Sequence, residues 1–292
     1  MTDIQKILIL GANSLIGISL THMLKKKYNI FKTFYSTPIS NGIKIDLQNS
    51  STLENAFKIS QPDVVINLCG IYKNLNFCEK NQKLVMEING TSLKKISKLS
   101  NQFNSFLISF SSDYVFDGQT GNYKEEDPIC PINYYGLTRA EGEKNIQEIA
   151  NDYSIIRTSM VYGKNSIRQT LPEMILKEIK QKFEVISDQF MTPTYLENLC
   201  KMIVEVIEIH YNGILHLAGP EKTSRYEFAQ KLLKIFEISN ENLIESKRSN
   251  FEFSKDMPPD SSLNTNKAYS ILKEKPEPLE LSLNKYFKSI NS

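Results

Sequence analysis

A glycine-bounded turn near the start of the chain has the composition of a phosphate-binding site. Gly11 and Gly17 enclose the residues Ala-Asn-Ser-Leu-Ile between a predicted strand, Ile7–Leu10, and a predicted helix, Leu15–Lys27. The first glycine allows a tight turn, the last allows the helix to pack closely on the strand, and the N–H groups between them can face a pyrophosphate. The turn predicts a dinucleotide site, although an ordinary strand–turn–helix connection has the same outline.

Two details of this region concern the choice of nucleotide. Ser14 replaces the middle glycine of the GxxGxxG pattern, so its N–H and hydroxyl can face a phosphate while its side chain narrows the approach. NAD-selective Rossmann domains place an acidic residue at the end of the second strand, but the segment Tyr35–Pro38 has none. This favours NADPH weakly and leaves NADH possible. Asp46 is either an adenine-binding residue or a residue at the start of the next helix.

Three motifs follow the predicted strand Phe106–Phe110 in short succession. They are Ser111-Ser-Asp-Tyr-Val-Phe-Asp-Gly118, Asn122-Tyr-Lys-Glu-Glu-Asp-Pro128 and Pro131-Ile-Asn-Tyr-Tyr-Gly-Leu-Thr-Arg139. With them the sequence resembles the extended short-chain dehydrogenases, and among these the dTDP-4-dehydrorhamnose reductase (RmlD-like) family. The resemblance covers nearly the whole chain and includes the shorter motifs Pro62–Asn67, Cys78-Glu79, Ile88-Asn89, Arg157-Thr158, Pro193-Thr194, Ser224-Arg225 and Pro259–Leu263.

The resemblance implies a catalytic triad of Ser/Thr, Tyr and Lys. Matching motifs give the hydroxyl role to Ser112 and the acid role to Tyr135, while the lysine position holds Arg139. Residues i and i+4 share a helix face, so the cation is expected near the phenol. A free tyrosine has a pKa of about 10, and a fixed cation favours the ionised form needed to exchange a proton with a ketone oxygen near neutral pH. The serine hydroxyl could hold that oxygen beside the phenol.

Arg139 is the main departure from the family pattern. Arginine supplies charge, but its planar fork is broader than the ammonium that reaches the cofactor ribose. It cannot join a proton relay, because its pKa exceeds about 12. We therefore expect slow catalysis, or nucleotide binding without catalysis; an ordinary surface pair of Tyr135 and Arg139 is the plainer alternative.

The resemblance implies NADPH-dependent reduction of the C4 keto group of a nucleotide-activated deoxysugar. The expected reaction converts dTDP-4-dehydro-L-rhamnose to dTDP-L-rhamnose. The alternatives are a non-catalytic NAD(P)-binding regulatory subunit, like the beta subunit of methionine adenosyltransferase, and a sugar-nucleotide 4-epimerase. A 4,6-dehydratase is disfavoured, because its Asp-Glu pair after the Ser/Thr corresponds to Asp113-Tyr114 here.

Motif position assigns one set of residues to the cofactor and one to the substrate. The residues expected at the cofactor are Gly11, Asn13, Ser14, Leu15, Ile16, Gly17, Ser36, Asp46, Leu47, Leu68, Cys69, Gly70, Asn89, Tyr135 and Arg139. The residues expected at the substrate are Asp113, Val115, Tyr135, Thr192, Arg225 and Asp260. Arg225 could pair with the diphosphate, because a guanidinium offers two parallel donors, or could simply begin a helix.

The elements that position these residues follow from the hydrophobic pattern. Short apolar runs alternate with amphipathic stretches, which predicts βαβ units and a Rossmann-type, doubly wound α/β fold. The predicted strands are Ile7–Leu10, Ile30–Tyr35, Gly42–Ile45, Val64–Leu68, Phe106–Phe110, Ser154–Arg157 and Gly213–Ala218. The predicted helices are Leu15–Lys27, Ser51–Ser60, Lys80–Asn101, Tyr134–Asn151, Leu171–Gln181, Tyr195–Ile209, Tyr226–Phe236 and Leu281–Ser289, with a loop at Ser249–Ser262.

Domain organisation follows from a change in this pattern after Gly163. We expect a Rossmann domain over residues 1–163, with returning elements near 188–219. A smaller substrate-binding lobe over residues 164–292 should interleave with it at the carboxyl edge of the sheet, where ligands of open α/β sheets bind.

Composition excludes several classes of protein. The 35 basic residues nearly balance the 33 acidic ones, so charge makes no case for nucleic acid. No run of 18 apolar residues suggests a membrane span, and the N-terminus leads into a strand without the pattern of a secretory leader. The four cysteines and three histidines lack metal-ligand spacing. We expect a cytoplasmic, metal-free enzyme that binds a nucleotide sugar, with a homodimer as one possible assembly.

Overall fold

Strands and helices alternate along most of the chain. The computed structural model describes residues 4–71, 73–164, 169–252 and 256–291. Its strands are β1 (Lys6–Leu10), β2 (Asn29–Phe34), β3 (Gly42–Lys44), β4 (Val64–Asn67), β5 (Phe106–Ser112), β6 (Tyr153–Thr158), β7 (Val161–Tyr162), β8 (Phe183–Ile186), β9 (Phe190–Met191), β10 (Thr194–Tyr195), β11 (Gly213–His216), β12 (Thr223–Ser224) and β13 (Leu243–Ser246). Its helices are α1 (Leu15–Leu24), α2 (Ser50–Ser60), α3 (Leu75–Lys80), α4 (Gln82–Met86), α5 (Ser92–Gln102), α6 (Tyr134–Ile149), α7 (Leu171–Glu178), α8 (Leu196–Glu208), α9 (Arg225–Ile235), α10 (Asn266–Ile271) and α11 (Leu279–Asn291).

Seven strands form one parallel sheet in the order β3-β2-β1-β4-β5-β6-β11. The chain runs outward from β1 to β3 and then crosses back to β4, so the strand order reverses beside β1. This is the doubly wound topology of the Rossmann fold, whose ligands bind at the carboxyl ends of the strands where the order reverses. Because Leu10 pairs with Asn67, the segments that begin at Gly11 and Leu68 leave the sheet side by side.

Helices cover both faces of this sheet, which explains why β1 is apolar throughout. Ile7 and Ile9 belong to a buried cluster with α1 and α8. Leu8 and Leu10 belong to a second cluster with residues of α2 and α5. The alternation of side chains along the strand therefore supplies a core on each side and leaves the strand's carboxyl end open at the edge.

The predicted helix Lys80–Asn101 is interrupted. The π-helical turn Glu87–Thr91 separates α4 from α5, and such turns occur frequently at functional sites. A Cβ on Gly142 of α6 would lie 2.5 Å from the carbonyl oxygen of Asn89 in this turn. The two elements pack so closely that only a glycine fits on α6 there, and this contact fixes α6 against the loop that follows β4.

The C-terminal elements contribute a third apolar cluster. It joins residues of α7, α9 and α11 around Tyr162 and Tyr286. The predicted loop Ser249–Ser262 contains residues 253–255, which lie outside the described residues; further along it, Asp260 forms a bridge to Phe190. Within the described ranges, no helix is both long and apolar enough to cross a membrane.

Candidate active site

A cavity of about 770 Å³ lies at the carboxyl ends of the central strands. Its wall includes residues that directly follow β1, β4, β5 and β6, and residues from the C-terminal elements. Ten of the residues predicted to be catalytic or to lie at the cofactor or substrate line it: Ser14, Leu15, Ile16, Leu68, Gly70, Ser112, Asp113, Tyr135, Arg139 and Arg225. The fold therefore brings the first turn of α1, the segment after β5 and the start of α6 to one place.

The glycine-bounded turn has the geometry that its sequence predicts. Gly11 has a φ of +79°, a conformation that side chains disfavour. A Cβ on Gly17 would lie 2.6 Å from the Gly11 carbonyl oxygen and 2.8 Å from the Cα of Ala12. Ser14 is the N-cap of α1, and its hydroxyl accepts a hydrogen bond from the Gly17 N–H at 3.1 Å. The serine hydroxyl thus caps the helix, while its residue lines the cavity.

Four residues predicted at the cofactor, among them the candidate adenine-binding residue Asp46, lie outside the cavity wall. Asn13 donates to the carbonyl of Thr37 at 3.3 Å, which ties the glycine-bounded turn to the segment after β2. Ser36 is exposed, and Leu47 is buried in the core. The carboxylate of Asp46 accepts the N–H of Gln48 at 2.9 Å, just before α2. This contact places Asp46 in the turn just before Asn49, the N-cap of α2. Binding of adenine by Asp46 stays a prediction.

The loop after β4 is held in place by Asn89. The Asn89 amide accepts the Ile71 N–H at 2.7 Å and donates to the Ile71 carbonyl at 3.0 Å and to Thr138 at 3.2 Å. Burial raises the pKa of the neighbouring Cys69 thiol to about 12, against the smaller effect of the Arg139 charge. The Cys69 thiol is therefore protonated and unreactive at neutral pH. Asn89 orders the loop by binding its backbone.

Tyr135 and Arg139 lie one turn apart on α6, as expected. Arg139 Nε donates to the Tyr135 hydroxyl at 3.3 Å, and Nη1 donates to the carbonyl of Phe110 at 3.2 Å. The helix begins at Tyr134 because the Asn133 side chain caps it, accepting the Gly136 N–H at 2.8 Å. The cation thus lies beside the phenol at the end of β5, and the two residues form part of the cavity wall rather than an ordinary surface pair.

Ser112 and Asp113 form a network of hydroxyls around one carboxyl group. Ser112 donates to Asp113 at 2.8 Å, and Ser159 and Ser261 each donate at 2.7 Å. Burial raises the pKa of Asp113, and the three hydroxyl donors oppose that effect. The network joins the ends of β5 and β6 to the C-terminal segment, so three separate parts of the chain set the orientation of the Ser112 hydroxyl.

Arg225 is the predicted substrate residue that the C-terminal elements bring to the cavity. It begins α9, and its Nε donates to Gln189 at 2.5 Å. Gln189 in turn donates to the Tyr114 hydroxyl at 3.1 Å. Burial raises the pKa of Tyr114, while the Arg225 charge lowers it by a smaller amount. Lys73, which also lines the cavity, adds a further positive charge to its wall.

Three residues predicted at the substrate lie away from the cavity wall. Val115 is fully buried in an apolar cluster. Thr192 accepts the Leu263 N–H at 3.3 Å. Asp260 pairs with Lys222 at 2.5 Å and accepts hydrogen bonds from Ser262.

Sequence reasoning also missed several residues of the wall. They are Lys73, Phe110, Ser111, Tyr114, Thr158, Ser159, Met160, Val161, Gln169, Thr170, Leu171, Gln189, Met191 and Ser261. Ser261 and Thr158 lie inside motifs that were recognised, whereas no local pattern marks Gln189. Among the described residues, no group of three or more His, Cys, Asp or Glu side chains is arranged to hold a metal ion.

Known proteins are similar in sequence to most of this chain. The family model described as RmlD substrate binding domain matches residues 5–292. The spore coat polysaccharide biosynthesis protein SpsK of Bacillus subtilis (strain 168) is 30% identical over 230 residues, which is 78% of each chain. The dTDP-4-dehydrorhamnose reductase of Escherichia coli (strain K12) is 30% identical over 234 residues, 77% of this chain and 76% of the relative.

Solved structures are also similar to this chain over nearly its whole length. A dTDP-4-dehydrorhamnose reductase from Bacillus anthracis (strain Ames), in complex with NADP, superposes with a TM-score of 0.87 at 26% identity and covers 98% of this chain and 99% of its own. A hypothetical dTDP-4-dehydrorhamnose reductase from Sulfolobus tokodaii has a TM-score of 0.84 at 31% identity and covers 94% of this chain and 98% of its own.

Proposed function

The chain belongs to the RmlD substrate binding domain family, and from this premise we propose that it is an NADPH-dependent reductase of a nucleotide-activated 4-keto deoxysugar. The expected substrate is dTDP-4-dehydro-L-rhamnose and the expected product dTDP-L-rhamnose. One observation carries the proposal: Ser112, Tyr135 and Arg139 meet on the wall of a cavity that also reaches the first turn of α1 and Arg225.

The glycine-bounded turn fits a dinucleotide. A Cβ at Gly17 would meet backbone atoms that cannot move aside, so the helix start lies as close to β1 as a phosphate-binding turn requires. Ser14, Leu15 and Ile16 would face the pyrophosphate, and Leu68 and Gly70 would flank the nicotinamide half. When bound, NADPH supplies the hydride. The absence of an acid in Tyr35–Thr37 supports NADPH over NADH.

The chain's own residues would manage the proton. Tyr135 donates its phenolic proton to the keto oxygen as negative charge develops there, and the adjacent guanidinium of Arg139 stabilises the phenolate that is left. Ser112 exchanges its hydrogen bond to Asp113 for one to the same oxygen, which holds that oxygen within reach of the phenol. Arg139 contributes charge and position but no proton, since a guanidinium does not titrate.

Two positive side chains of the cavity wall suit the diphosphate of a sugar nucleotide. Arg225 and Lys73 both line the cavity, and a guanidinium can bind a phosphate through two donors. The hydrogen bond from Arg225 to Gln189 uses its Nε and orients the fork. A nucleotide sugar bound in this cavity would place its diphosphate near these cations and its keto group at Ser112 and Tyr135.

The direct test is turnover with purified protein. Addition of dTDP-4-dehydro-L-rhamnose should oxidise NADPH, and NADH less well, with formation of dTDP-L-rhamnose. Tyr135→Phe removes the proton donor and should lower turnover by about 10²–10⁴-fold, while NADPH binding, measured by fluorescence titration, persists. If NADPH binds but several dTDP-keto sugars all leave it unoxidised, the reductase proposal fails.

Arg139 favours a second candidate, a non-catalytic NAD(P)-binding subunit that regulates a partner enzyme. In that case NADPH binding would occur without turnover, and wild type and Tyr135→Phe would behave alike. A sugar-nucleotide 4-epimerase would instead interconvert two sugar nucleotides without net consumption of NADPH, which chromatography of the products distinguishes from reduction.

A further inference from the structure

The guanidinium of Arg139 fills the space that a side chain at residue 70 would need. A Cβ on Gly70 would lie 2.9 Å from Cζ and 3.1 Å from Nη1 of Arg139, and closer still to Nη2. These three guanidinium atoms are the nearest heavy atoms to that point. Real Cβ atoms keep larger distances from their neighbours, so alanine at residue 70 and the observed position of Arg139 exclude each other.

The backbone gives no other reason for glycine at this position. Gly11, Gly118, Gly121 and Gly213 are the glycines with positive φ in the described part of the chain, and Gly70 is not among them. Alanine could therefore adopt the backbone conformation of residue 70 without strain. Glycine at residue 70 is therefore explained by packing, because the guanidinium of Arg139 occupies the space that a Cβ would need.

Hydrogen bonds hold both partners, and the loop is held through its backbone. The loop cannot retreat easily, because the buried amide of Asn89 bonds both the N–H and the carbonyl of Ile71, the residue after Gly70. The guanidinium is held by hydrogen bonds to the carbonyl of Phe110 and to the hydroxyl of Tyr135. An added methyl group would therefore displace the far end of the arginine side chain, which is flexible, rather than the backbone.

We propose that Gly70 is a positioning residue matched to Arg139: it makes room for a guanidinium at the position where the family has a lysine, and so keeps the cation beside Tyr135. The inference rests on the proposed reductase function for its kinetic consequences, but its structural part does not. Lysine has a narrower side chain without the planar fork. The pairing therefore predicts that alanine at residue 70 lowers kcat only while residue 139 is arginine.

Four proteins test the pairing: wild type, Gly70→Ala, Arg139→Lys and the double variant. Gly70→Ala should lower kcat by about 10- to 100-fold, because a displacement of about 1 Å near the reacting groups can have that effect. The KM for the sugar nucleotide and the thermal unfolding midpoint should change little. Adding Arg139→Lys to Gly70→Ala should restore kcat to that of Arg139→Lys alone, and this second-site rescue is the matched control.

A crystal structure of Gly70→Ala supplies a readout that does not depend on turnover. The guanidinium should move away from Tyr135 and Phe110 while the loop after β4 keeps its path. An unmoved guanidinium, a wild-type kcat in Gly70→Ala, or an equal loss of kcat with arginine and with lysine at residue 139 would overturn the pairing. If none of the four proteins reduces a keto sugar, the proposed function fails and the position of the guanidinium alone decides the pairing.

Discussion

Asp113 is a cavity residue whose pKa is raised by burial. Its three side-chain donors are all hydroxyls, and burial is the largest effect, so its pKa is raised. In the unfolded chain an aspartate titrates near about 3.9. Between that value and the higher folded value, the folded protein binds more protons than the unfolded one, so the free energy of unfolding falls as pH rises through this window.

Asp113→Asn should remove this loss. Relative to wild type, the variant should gain stability as pH rises from below the unfolded pKa to above the folded one, whatever constant offset its altered hydrogen bonds cause. Urea unfolding followed by circular dichroism at several pH values measures the difference. A difference that stays constant across the window would contradict a raised pKa at Asp113.

Asp117 provides a control of opposite sign. Its hydrogen bond from the Tyr123 hydroxyl lowers its pKa, so its contribution to stability is present above the unfolded pKa and is lost as pH falls through the folded one. Asp117→Asn should therefore lose stability relative to wild type as pH rises, the reverse of Asp113→Asn. Equal slopes for the two variants would point to a general effect of the substitution.

Motifs predicted which segments reach the cavity better than which side chains face it. Ser112 and Tyr135, predicted to be catalytic, and Arg225, predicted at the substrate, line the wall. In the motif Pro259–Leu263, however, Ser261 faces the cavity and Asp260 pairs with Lys222. Neighbouring residues in an extended segment point in different directions, so a motif alone leaves this choice open, and the role of each residue in catalysis or binding stays a prediction.

The start of α1 is the element on which nucleotide binding depends most. The Ser14 hydroxyl caps the helix through the Gly17 N–H, and replacing a serine N-cap by glycine costs only a few tenths of a kcal/mol, roughly. Ser14→Gly also removes the side chain that narrows the approach. We expect NADPH affinity equal to or tighter than wild type in a fluorescence titration; a severalfold weaker affinity would make the serine a specific ligand.

Gly17→Val tests the same element from its packed side. The new Cβ would meet the backbone of Gly11 and Ala12, which cannot give way as a flexible side chain would. The helix start must shift from β1, so NADPH binding should be abolished while Ser14→Gly, the neighbouring control, retains it. Near wild-type affinity in Gly17→Val would mean that this close contact is not required.

The hydrophobic pattern predicted the strands of the central sheet and the long helices, and missed the short elements elsewhere in the chain. The predicted strands of the central sheet agree with the structure to within one residue at each end, except that β5 extends two residues further, to Ser112, and the predicted strand Gly213–Ala218 ends two residues earlier, at His216. The strands outside the central sheet, such as β8 and β13, were missed. They have only two to four residues, which gives little periodicity to detect, and their pairing partners lie outside the βαβ pattern that made the equally short β3, β4 and β11 recognisable. The end of α1 at Leu24 and the π-helical turn within Lys80–Asn101 likewise depend on contacts between elements.

At the scale of the whole molecule, elements from both halves of the chain meet. β11 pairs with β6 in the central sheet, and β10 pairs with β7. Two units divided between residues 163 and 164, with elements returning near 188–219, would therefore share the sheet and the cavity. This domain boundary stays a proposal.

A buried polar network crosses this junction. Arg157 on β6 bonds Glu143 on α6, with Nη2 at 2.7 Å, and donates to the carbonyl of Glu125 at 3.2 Å. His216 on β11 lies 3.3 Å from Arg157, and its backbone N–H donates to the Glu125 carboxylate at 2.9 Å. Burial and the Arg157 charge lower the pKa of His216 to about 3, so its ring stays neutral at physiological pH. The ion pair of this network is formed by Arg157 and Glu143, whose side chains are only 3% and 2% exposed.

Removing either charge of this pair should destabilise the whole molecule more than removing both. Arg157→Met leaves a buried carboxylate without its cation, and Glu143→Met leaves a buried guanidinium without its anion. Each should lower the free energy of unfolding by about 3–5 kcal/mol. The double variant should cost less than either single variant, because neither charge of the pair is left without its partner. Lys27→Met, which breaks the exposed pair with Glu208, is the control and should change stability little. Urea unfolding of the four variants measures these changes in the free energy of unfolding. If the losses of the two single variants simply add in the double variant, or if each is as small as that of Lys27→Met, the buried pair does not hold the sheet, α6 and the C-terminal elements together.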